Sequence, residues 1–454
     1  MRESPLSLIL LYLGTVRTQL CFGENMKLSC YSKLFTSQES ADSVIAYSTQ
    51  NAAAALIPSE LIPDINKGNL SPEEQEILTD LGILVSSREE EKIKMQNFIN
   101  ELNDLNRSVK FIIVLNMDCN LSCKYCFEGK RKGRFYLSEE TADKFINFIS
   151  RSDLTGKESI KIVFYGGEPL LSLERIVSIS GRIGAFTHSR GLKYGFTLVT
   201  NGTLLTSPVV KRLKEIGLQS AKITLDGPKD IHDLYRPFKS GTGSFDTIIR
   251  NIKEACNTTT IHLGGNYTQE NFREFPRLLD DLAANGLTPD KIPFLKFDPV
   301  VNESNEFAPA DFHDGCESSN EPWISDAAVF LREEILRRGY RTQKIVPMSC
   351  FAEFKDNIVV NYDGTLYKCP GLIGREQFCV GDLERGQTDY RVSHGLDVWK
   401  NKECLECAYL PLCFGGCKYM KAIRDGNMSS VICQKEYYDG TLAKLVSQDI
   451  QYDL

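Results

Sequence analysis

Cysteine spacing constrains this chain more than any other feature. The sequence has 15 cysteines in 454 residues, and ten of them fall into two closely spaced patterns. In a chain of this length, cysteines can be disulfides of a secreted protein or ligands for metal clusters, and their spacing must decide. The other five are scattered: Cys21, Cys30, Cys256, Cys316 and Cys379. If the patterned cysteines bind clusters, the protein needs a reducing compartment, so we expect it to be cytoplasmic.

Size and charge narrow the classes of function. A chain with 42% hydrophobic and 25% charged residues can bury a large core and should form two or three domains. Its net charge of -7 leaves no basic surplus to neutralise phosphates, so we expect no nucleic-acid partner. A peptide or a small molecule is the expected substrate class.

The first 25 residues contain one apolar stretch, residues 6–13. It is too short for a membrane span, which needs about 20 residues, and resembles at most the apolar part of a signal peptide. Glu3 and Arg17 flank it without an evident cleavage site, and Met26 opens an ordinary cytosolic sequence. We therefore expect that the start codon has been assigned too early and treat residues 1–25 as an extension of doubtful status. A real extension or anchor is the alternative. No membrane partner is expected.

Residues 26–104 form the first predicted domain. Ser71 followed by Pro72 and two glutamates predicts a capped helix start. The segment resembles a small winged-helix module of the kind that recognises leader peptides. A simple helical cap on the next domain is the alternative.

The chain from residue 105 has the pattern of an α/β fold. Short β-branched runs alternate with amphipathic helices, which predicts parallel strands joined by helical crossovers. The predicted strands are 111–115, 161–165, 196–200, 221–225, 260–263 and 294–297. Six such units predict a partial (β/α)6 TIM-like barrel over residues 105–300, with its chemistry on the loops after the strands. We expect a connection over 301–345, with a helix at 326–338, and a cysteine-rich domain over 346–454.

The first cysteine pattern follows the first barrel strand. Cys119, Cys123 and Cys126 can hold three irons of a [4Fe–4S] cube and leave the fourth iron open. A structural zinc site is the alternative, but it requires four ligands, and no fourth Cys or His is nearby.

This pattern and the loops after the next strands resemble the radical S-adenosylmethionine (SAM) superfamily. The resemblance implies that Tyr125 lies beside the adenine of the cofactor. It also implies that the turn Gly166-Gly167-Glu168-Pro169 meets the amino group, where glycines permit close approach. The family cleaves S-adenosyl-L-methionine reductively into methionine and a 5′-deoxyadenosyl radical.

Two further segments resemble the same family. Thr200-Asn201-Gly202 corresponds to the segment that meets the ribose, and Leu225-Asp226-Gly227-Pro228 precedes a second motif that ends at Arg236. Arg236 is expected to supply a positive charge for the methionine carboxylate. For Asn201, Asp226 and Arg236, turn capping or a surface ion pair is the alternative.

The second cysteine pattern resembles the SPASM domain of peptide-maturing family members, which holds two auxiliary [4Fe–4S] clusters. Its cysteines are Cys350, Cys369, Cys404, Cys407, Cys413, Cys417 and Cys433. Transferred by position, one cluster takes Cys350, Cys369 and Cys417. The other takes the remaining four, so the resemblance implies three clusters in all.

The first auxiliary set lacks a fourth cysteine, which leaves three alternatives. Its open iron can bind a substrate thiolate, or it can be closed by a non-cysteine ligand or by Cys379. A second departure concerns the residue after Cys369. Sulfatase-maturing relatives place an aspartate base there, whereas this chain has Pro370, so formylglycine formation is disfavoured.

Taken together, these patterns predict a radical SAM maturase of a ribosomally made, Cys-rich peptide, with thioether cross-links as the expected product. The sequence as a whole is similar to those of the geopeptide and Cys-rich-peptide maturases. An electron donor such as ferredoxin or flavodoxin is implied, and the sequence identifies no catalytic acid or base. The alternatives are sulfatase-type oxidation of Ser or Cys, and a non-enzymatic iron–sulfur electron-transfer protein.

Overall fold

The computed structural model describes residues 10–11, 26–36, 42–67, 69–126, 128–303 and 312–454. Most of the apolar stretch 6–13, and also Cys21, lies outside these residues. Within them, no helix combines the length and the apolar character that crossing a membrane requires.

The regular elements follow one another along the chain in a mixed order. The strands are β1 (Leu10–Leu11), β2 (Lys27–Leu28), β3 (Ser32–Thr36), β4 (Ser43–Ser48), β5 (Ala53–Pro58), β6 (Leu84–Val85), β7 (Ser108–Val114), β8 (Ser159–Tyr165), β9 (Lys193–Thr200), β10 (Leu218–Thr224), β11 (Thr260–Tyr267), β12 (Phe294–Pro299), β13 (Asn357–Val360), β14 (Thr365–Tyr367), β15 (Gly381–Asp382) and β16 (Gly386–Gln387). The helices are α1 (Ile62–Lys67), α2 (Pro72–Asp80), α3 (Arg88–Leu105), α4 (Glu139–Arg151), α5 (Leu173–Ser189), α6 (Ser207–Glu215), α7 (Lys229–Tyr235), α8 (Phe245–Ala255), α9 (Phe275–Ala284), α10 (Pro322–Leu336), α11 (Lys402–Leu405), α12 (Leu410–Cys413), α13 (Lys418–Asp425) and α14 (Lys435–Gln451).

Six parallel strands form the centre of the molecule. Strands β7 to β12 pair in sequence order, and each crossover contains at least one helix. They coincide with the six predicted strands, so the α/β class and the partial barrel are confirmed. The barrel strands bury apolar side chains such as Ile160, Ile162 and Phe164 almost completely, within one continuous core. This rigid sheet fixes the positions of the loops that leave its strand ends.

The C-terminal region extends the same sheet. Strand β13 pairs in parallel with β7, with Asn357 opposite Lys110 and Val360 opposite Ile113. The short strands β14, β15 and β16 then continue the sheet as antiparallel neighbours. The predicted helix 326–338 is α10, whose main neighbour is α14. Sequence elements far apart are thus joined to the first barrel strand by backbone hydrogen bonds.

The N-terminal region has its own antiparallel sheet, in the order β1-β5-β4-β3. Helix α2 begins as predicted: Glu74 N donates to Ser71 Oγ at 3.3 Å, and the Glu74 carboxylate accepts from Ser71 N at 2.7 Å. This region packs on the end of the connection and on the cysteine-rich region. Tyr47 Oη donates to Ile345 O at 2.7 Å, and Thr49 Oγ1 donates to Ala408 O at 2.6 Å. The description of residues 26–104 as a winged-helix-like module remains a prediction.

Candidate active site

The first cysteine pattern lies in the loop after β7. Burial raises the pKa of all three thiols, and Cys126 also interacts electrostatically with Cys119 and with Cys123. Lys132 lies near all three sulfurs, and its side chain bonds to Cys126. A cation beside a thiol favours the thiolate, which is the form that binds metal. The structure therefore brings Cys119, Cys123 and Cys126 together beside a lysine that the sequence analysis missed.

The spacing of the thiols bears on the kind of metal they suit. In the part of the chain that the structure describes, no three or more His, Cys, Asp or Glu side chains converge as ligands of one ion. All ligands of a zinc ion lie about 2.0–2.3 Å from a single point. The thiolates of a four-iron cube lie at separate corners and are spaced more widely. Three cysteines in one loop, with no fourth Cys and no His among residues 115–135, suit three corners of a four-iron cube.

The turn after β8 lies against the cysteine loop. A Cβ atom on Gly166, whose φ is +147°, would stand 2.5 Å from Asn116 O, and one on Gly167 would stand 2.2 Å from Asp118 O. Gly167 N donates to Asn116 O at 3.0 Å, and Glu168 N donates to Asp118 O at 2.7 Å. Only glycine permits such an approach of two backbones. This contact places the Glu168 turn beside the three thiols.

Glu168 is completely buried and joins two strand ends. Its carboxylate accepts hydrogen bonds from Leu170 N at 2.9 Å, Thr200 Oγ1 at 2.8 Å and Asn201 N at 2.8 Å. Burial raises its pKa, while the three hydrogen bonds act in the opposite direction. Asn201 in turn donates to Asn120 Oδ1 at 2.8 Å, inside the cysteine loop. Two predicted cofactor-binding segments are therefore connected to the predicted cluster loop.

Asp226 forms the centre of a second buried network. It accepts from Asn266 N at 2.7 Å and from the hydroxyl of Tyr125. Arg236 Nη1 donates to Tyr125 Oη at 2.7 Å and lies 3.5 Å from Asp226 Oδ2. Tyr125, Asp226 and Arg236, predicted separately, thus form one cluster. Asn266 was missed because it comes from β11, where no motif marked it.

His232 holds the loop of Arg236 in place. Asp226 N donates to His232 Nδ1 at 3.1 Å, so Nε2 carries the hydrogen and faces Ser244 Oγ at 3.0 Å. Ser244 Oγ donates to Arg236 O at 2.7 Å. Burial lowers the pKa of His232 well below its usual value, so the ring is neutral.

The donors at this rim fit S-adenosylmethionine. Arg236 Nε is buried, and no group among the described residues accepts its hydrogen. A buried guanidinium with a spare donor suits a carboxylate, and the Glu168 carboxylate suits an ammonium group. Both groups belong to the methionine part of the cofactor.

The C-terminal cysteines separate into two groups. Burial raises the pKa of Cys369 to about 12, with further contributions from Cys350 and Cys417. Burial also raises the pKa of Cys350, which interacts with Cys417. These three cysteines therefore interact electrostatically as one group, the same three that form the first predicted auxiliary set.

The second group contains the other four cysteines. Burial raises the pKa of Cys413 to about 12, and Cys407, Cys404 and Cys433 add to the effect. Cys404 interacts with Cys407 and Cys433 in the same way. Cys404 lies in α11, Cys413 ends α12, Cys407 lies between these helices and Cys433 precedes α14. The grouping thus coincides with the predicted second set.

Tyr165 connects the first cysteine loop with the first C-terminal group. It ends β8, burial raises its pKa, and both Cys126 and Cys369 contribute to that shift. Sequence analysis missed this residue because a tyrosine at a strand end has no motif.

A cavity of about 510 Å³ lies beside the C-terminal groups. Its walls include Cys350, Cys413 and Cys417 and the end of β12. Tyr437 and Met348 complete an apolar part of the wall. The cavity is large enough to admit a side chain or a short peptide segment next to the cysteines.

Comparison with known proteins gives a consistent result. Residues 113–280 match the Radical SAM superfamily. The chain is 30% identical over 206 residues to an Fe-coproporphyrin III synthase of Methanosarcina barkeri, a match that covers 44% of this chain and 46% of that protein. It is 24% identical to a Cysteine-type anaerobic sulfatase-maturating enzyme of Clostridium novyi, covering 72% of this chain and 93% of that enzyme.

Among solved structures, the fold is similar to anSMEcpe with bound AdoMet and Kp18Cys peptide. The TM-score is 0.61 at 19% sequence identity, over 76% of this chain and 99% of that one. Identity at this level supports the shared fold. Residues 113–280, which match the Radical SAM superfamily, contain the whole buried rim described above, from Cys119 to Asn266.

Proposed function

We propose that this chain, a radical SAM enzyme, matures a ribosomally made, Cys-rich peptide by forming thioether cross-links. The cofactors of the superfamily are S-adenosyl-L-methionine and a [4Fe–4S] cluster, which together supply a hydrogen-abstracting radical when bound. The protein's own task is to bind and orient the cofactor, exclude water and align a C–H bond of the peptide.

The rim residues take separate roles in this proposal. Cys119, Cys123 and Cys126 hold the catalytic cluster, with Lys132 favouring their thiolate forms. Gly166, Gly167 and Glu168 meet the amino group, and Asn201 meets the ribose. Tyr125 lies beside the adenine, while Arg236, kept in place by Asp226, binds the methionine carboxylate.

One observation carries the proposal beyond cofactor cleavage: the seven C-terminal cysteines lie in two separate groups of three and four. Two such groups suit two auxiliary [4Fe–4S] clusters. A cavity borders both groups, which offers room for a peptide close to them.

A peptide substrate has further support. The similar anSMEcpe structure holds a peptide. In this chain, β3 has a strand partner on one side only within the described residues, and an edge strand can pair with an extended peptide. We assign leader-peptide recognition to residues 26–104 and electron supply to a ferredoxin or flavodoxin.

Sulfatase-type oxidation is the second candidate, because sulfatase-maturating enzymes are among the relatives. Pro370 opposes it. The residue after Cys369 begins a short turn, Pro370–Leu372, and has no carboxylate to accept a proton. A base for that reaction would have to come from another part of the chain.

The test uses anaerobically reconstituted full-length protein, which should hold about twelve irons as three clusters. Short Cys-rich reading frames beside the gene supply candidate peptides. A thioether product has lost two hydrogens per cross-link, one from carbon and one from sulfur. The same peptide with Cys changed to Ser should gain no cross-link. A product of unchanged mass would indicate epimerisation, and formylglycine in a sulfatase peptide would favour the second candidate.

A further inference from the structure

A basic surface surrounds the loop that carries the first three cysteines. Residues 124–134 contain five basic side chains and a single acid, although the whole chain has a net charge of -7. We propose that this surface docks an acidic one-electron carrier, of the ferredoxin or flavodoxin type, beside the catalytic cluster. Docking at this place rests on the proposed function, in which such a carrier supplies the electrons.

The positive charge of this surface is not compensated from within the chain. Lys124, Lys130 and Arg134 are exposed, and none of them has an ion-pair partner within the part of the chain that the structure describes. The one acid of the segment, Glu128, is buried. A local surplus of exposed cations attracts an anionic partner and speeds its association.

Successive tight turns hold two of these cations beside the thiols. Cys126 N donates to Cys123 O at 3.4 Å, and Gly129 N donates to Cys126 O at 2.8 Å. Because such turns keep residues three positions apart within about 7 Å, Lys124 and Lys130 both stay close to the cysteine loop.

Arg134 is brought back to the start of the same loop. Gly133 N donates to Met117 O at 3.1 Å, and Met117 N donates to Phe135 O at 2.9 Å. Residue 134 therefore lies beside Met117, which comes two residues before Cys119. Cations thus flank the cysteine loop both where it begins and where it ends.

Two exposed aromatic residues lie next to these cations. Phe135 is 49% exposed and Tyr136 is 43% exposed. The Phe135 ring stacks on Tyr362 with centroids 5.5 Å apart, and a Cβ atom on Gly133 would stand 2.5 Å from the same ring. Tyr136 Oη donates to Asp118 Oδ2 at 2.6 Å, so both rings are held in place. Aromatic side chains contribute affinity at protein–protein interfaces, and surrounding charges contribute association rate.

The position of this surface favours an electron carrier over other acidic partners. Because the rate of electron transfer falls steeply with distance, a carrier must dock close to the cluster that it reduces. Cys123 and Cys126 are partly exposed, so the cysteine loop itself reaches this surface. The carrier passes one electron to the catalytic cluster at this step, and no bond forms or breaks. An acidic segment of the peptide substrate is the competing occupant.

The experiment uses the reconstituted full-length protein and two probes, a flavodoxin and a ferredoxin, each of net negative charge. One variant combines Lys130→Glu with Arg134→Glu. The matched control combines Lys193→Glu with Lys211→Glu, both at exposed positions. Lys193 begins β9, so it lies at the end of the parallel sheet opposite the cysteine loop.

Two quantities are measured for each protein. The first is the association and dissociation rate of each carrier, at low and at high salt. The second is cleavage of S-adenosylmethionine, driven by the reduced carrier or by photoreduced 5-deazariboflavin, a neutral small molecule that needs no docking surface.

We expect the variant with Lys130→Glu and Arg134→Glu to bind both carriers about tenfold more slowly at low salt, with a smaller difference at high salt. Carrier-driven cleavage should fall by a similar factor, whereas deazariboflavin-driven cleavage and iron content should match those of the unaltered protein. Association as fast as in the control pair would overturn the inference. Slower binding of the precursor peptide, with unchanged binding of both carriers, would overturn it too.

Phe135→Ala tests the aromatic part of the surface. Both carriers should dissociate about tenfold faster from this variant and associate at nearly the same rate, because short-range contacts act mainly on dissociation. An unchanged dissociation rate would contradict docking on this surface. The proposed function fails separately, if the unaltered protein does not cleave S-adenosylmethionine with deazariboflavin, since carrier binding is measured without cleavage.

Discussion

The barrel rim and the cysteine-rich region are organised in different ways. At the rim, Glu168 and Asp226 connect the ends of neighbouring strands through hydrogen bonds, and this order needs no cofactor. Between Cys350 and Cys433, the longest regular element is α13, with eight residues. The rim is therefore organised by the sheet, whereas in the proposed function the cysteine-rich region takes part of its order from two metal clusters.

The N-terminal region packs beside two cysteines of the proposed second auxiliary cluster. Tyr31, Met95 and Ile99 share a buried cluster with Trp399 and Leu405, and Cys404 packs against it. Tyr47 shares another with Tyr409, beside Cys407. Loss of iron from the second auxiliary group should therefore destabilise residues 26–104, whereas loss of iron at the rim should not destabilise the barrel core.

The largest expected effect comes from changing Cys119, Cys123 and Cys126 together to Ala. Cleavage of S-adenosylmethionine should vanish and about four irons should be lost, because the catalytic cluster has no other ligands. The melting temperature of the barrel should stay nearly constant, since its core does not contact these thiols. Cleavage that survives the triple change would show that the catalytic cluster is assigned to the wrong cysteines.

Changing Cys404 and Cys407 together to Ala should give the opposite result. About four irons should be lost, and the free energy of unfolding should fall by roughly 3–5 kcal/mol, because metal binding stabilises this region. Limited proteolysis should then cut residues 26–104 faster than in the rim triple variant. Equal rates of proteolysis in the two variants would contradict the difference expected between the barrel rim and the cysteine-rich region.

Asp226→Asn tests the rim network itself. The change leaves the buried Arg236 without its charge partner, which should cost about 3 kcal/mol of stability and weaken cofactor binding. The matched control is Asp246→Asn, which breaks the exposed pair with Lys229 and should cost less than about 1 kcal/mol. Thermal unfolding and calorimetric titration with S-adenosylmethionine measure the two effects.

The pH dependence of stability tests the cysteine-rich region through His394. Burial, with help from Lys368 and Lys418, lowers its pKa to about 4, so the folded protein keeps the ring neutral while the unfolded chain takes up a proton below pH 6.5. Stability should therefore fall by about 2 kcal/mol between pH 7.5 and pH 5. His394→Phe keeps the aromatic packing and should remove this part of the slope. An unchanged slope in His394→Phe would contradict this prediction.

The smallest effect is expected at the start of α2. Ser71→Ala removes the side chain that caps this helix and should cost about 1 kcal/mol. Because α2 packs within the N-terminal core and not on the clusters, iron content should not change. A loss of iron in this variant would show that the coupling between the two regions extends further than their shared contacts.

Much of the barrel was predictable because its signals are local. The predicted strand 111–115 is observed as Ser108–Val114, and the missed first residues include the polar Ser108 and Lys110, which carry no apolar signal. Strand β11 extends past the predicted 260–263 to Tyr267, because Gly264 and Gly265 continue it although glycine is depleted in strands. The pattern of apolar and polar residues thus locates the strands but not their ends.

The site was predictable only where a motif marks it. Lys132, Asn266 and Tyr165 contact the predicted residues through tertiary packing, and no spacing in the chain marks them. The pairing of β13 with β7 joins residues about 250 positions apart and has no local signature.

That pairing restricts how the molecule can move. Strand β7 lies between β8 and β13, so a hinge opening between barrel and cysteine-rich region would have to break a parallel ladder that begins at Asn357 and Lys110. Ladder hydrogen bonds in the middle of a sheet open far less often than loops do. In the proposed function, the catalytic cluster and the first auxiliary cluster would therefore keep a constant separation, and a peptide would have to enter without a hinge opening between the two regions.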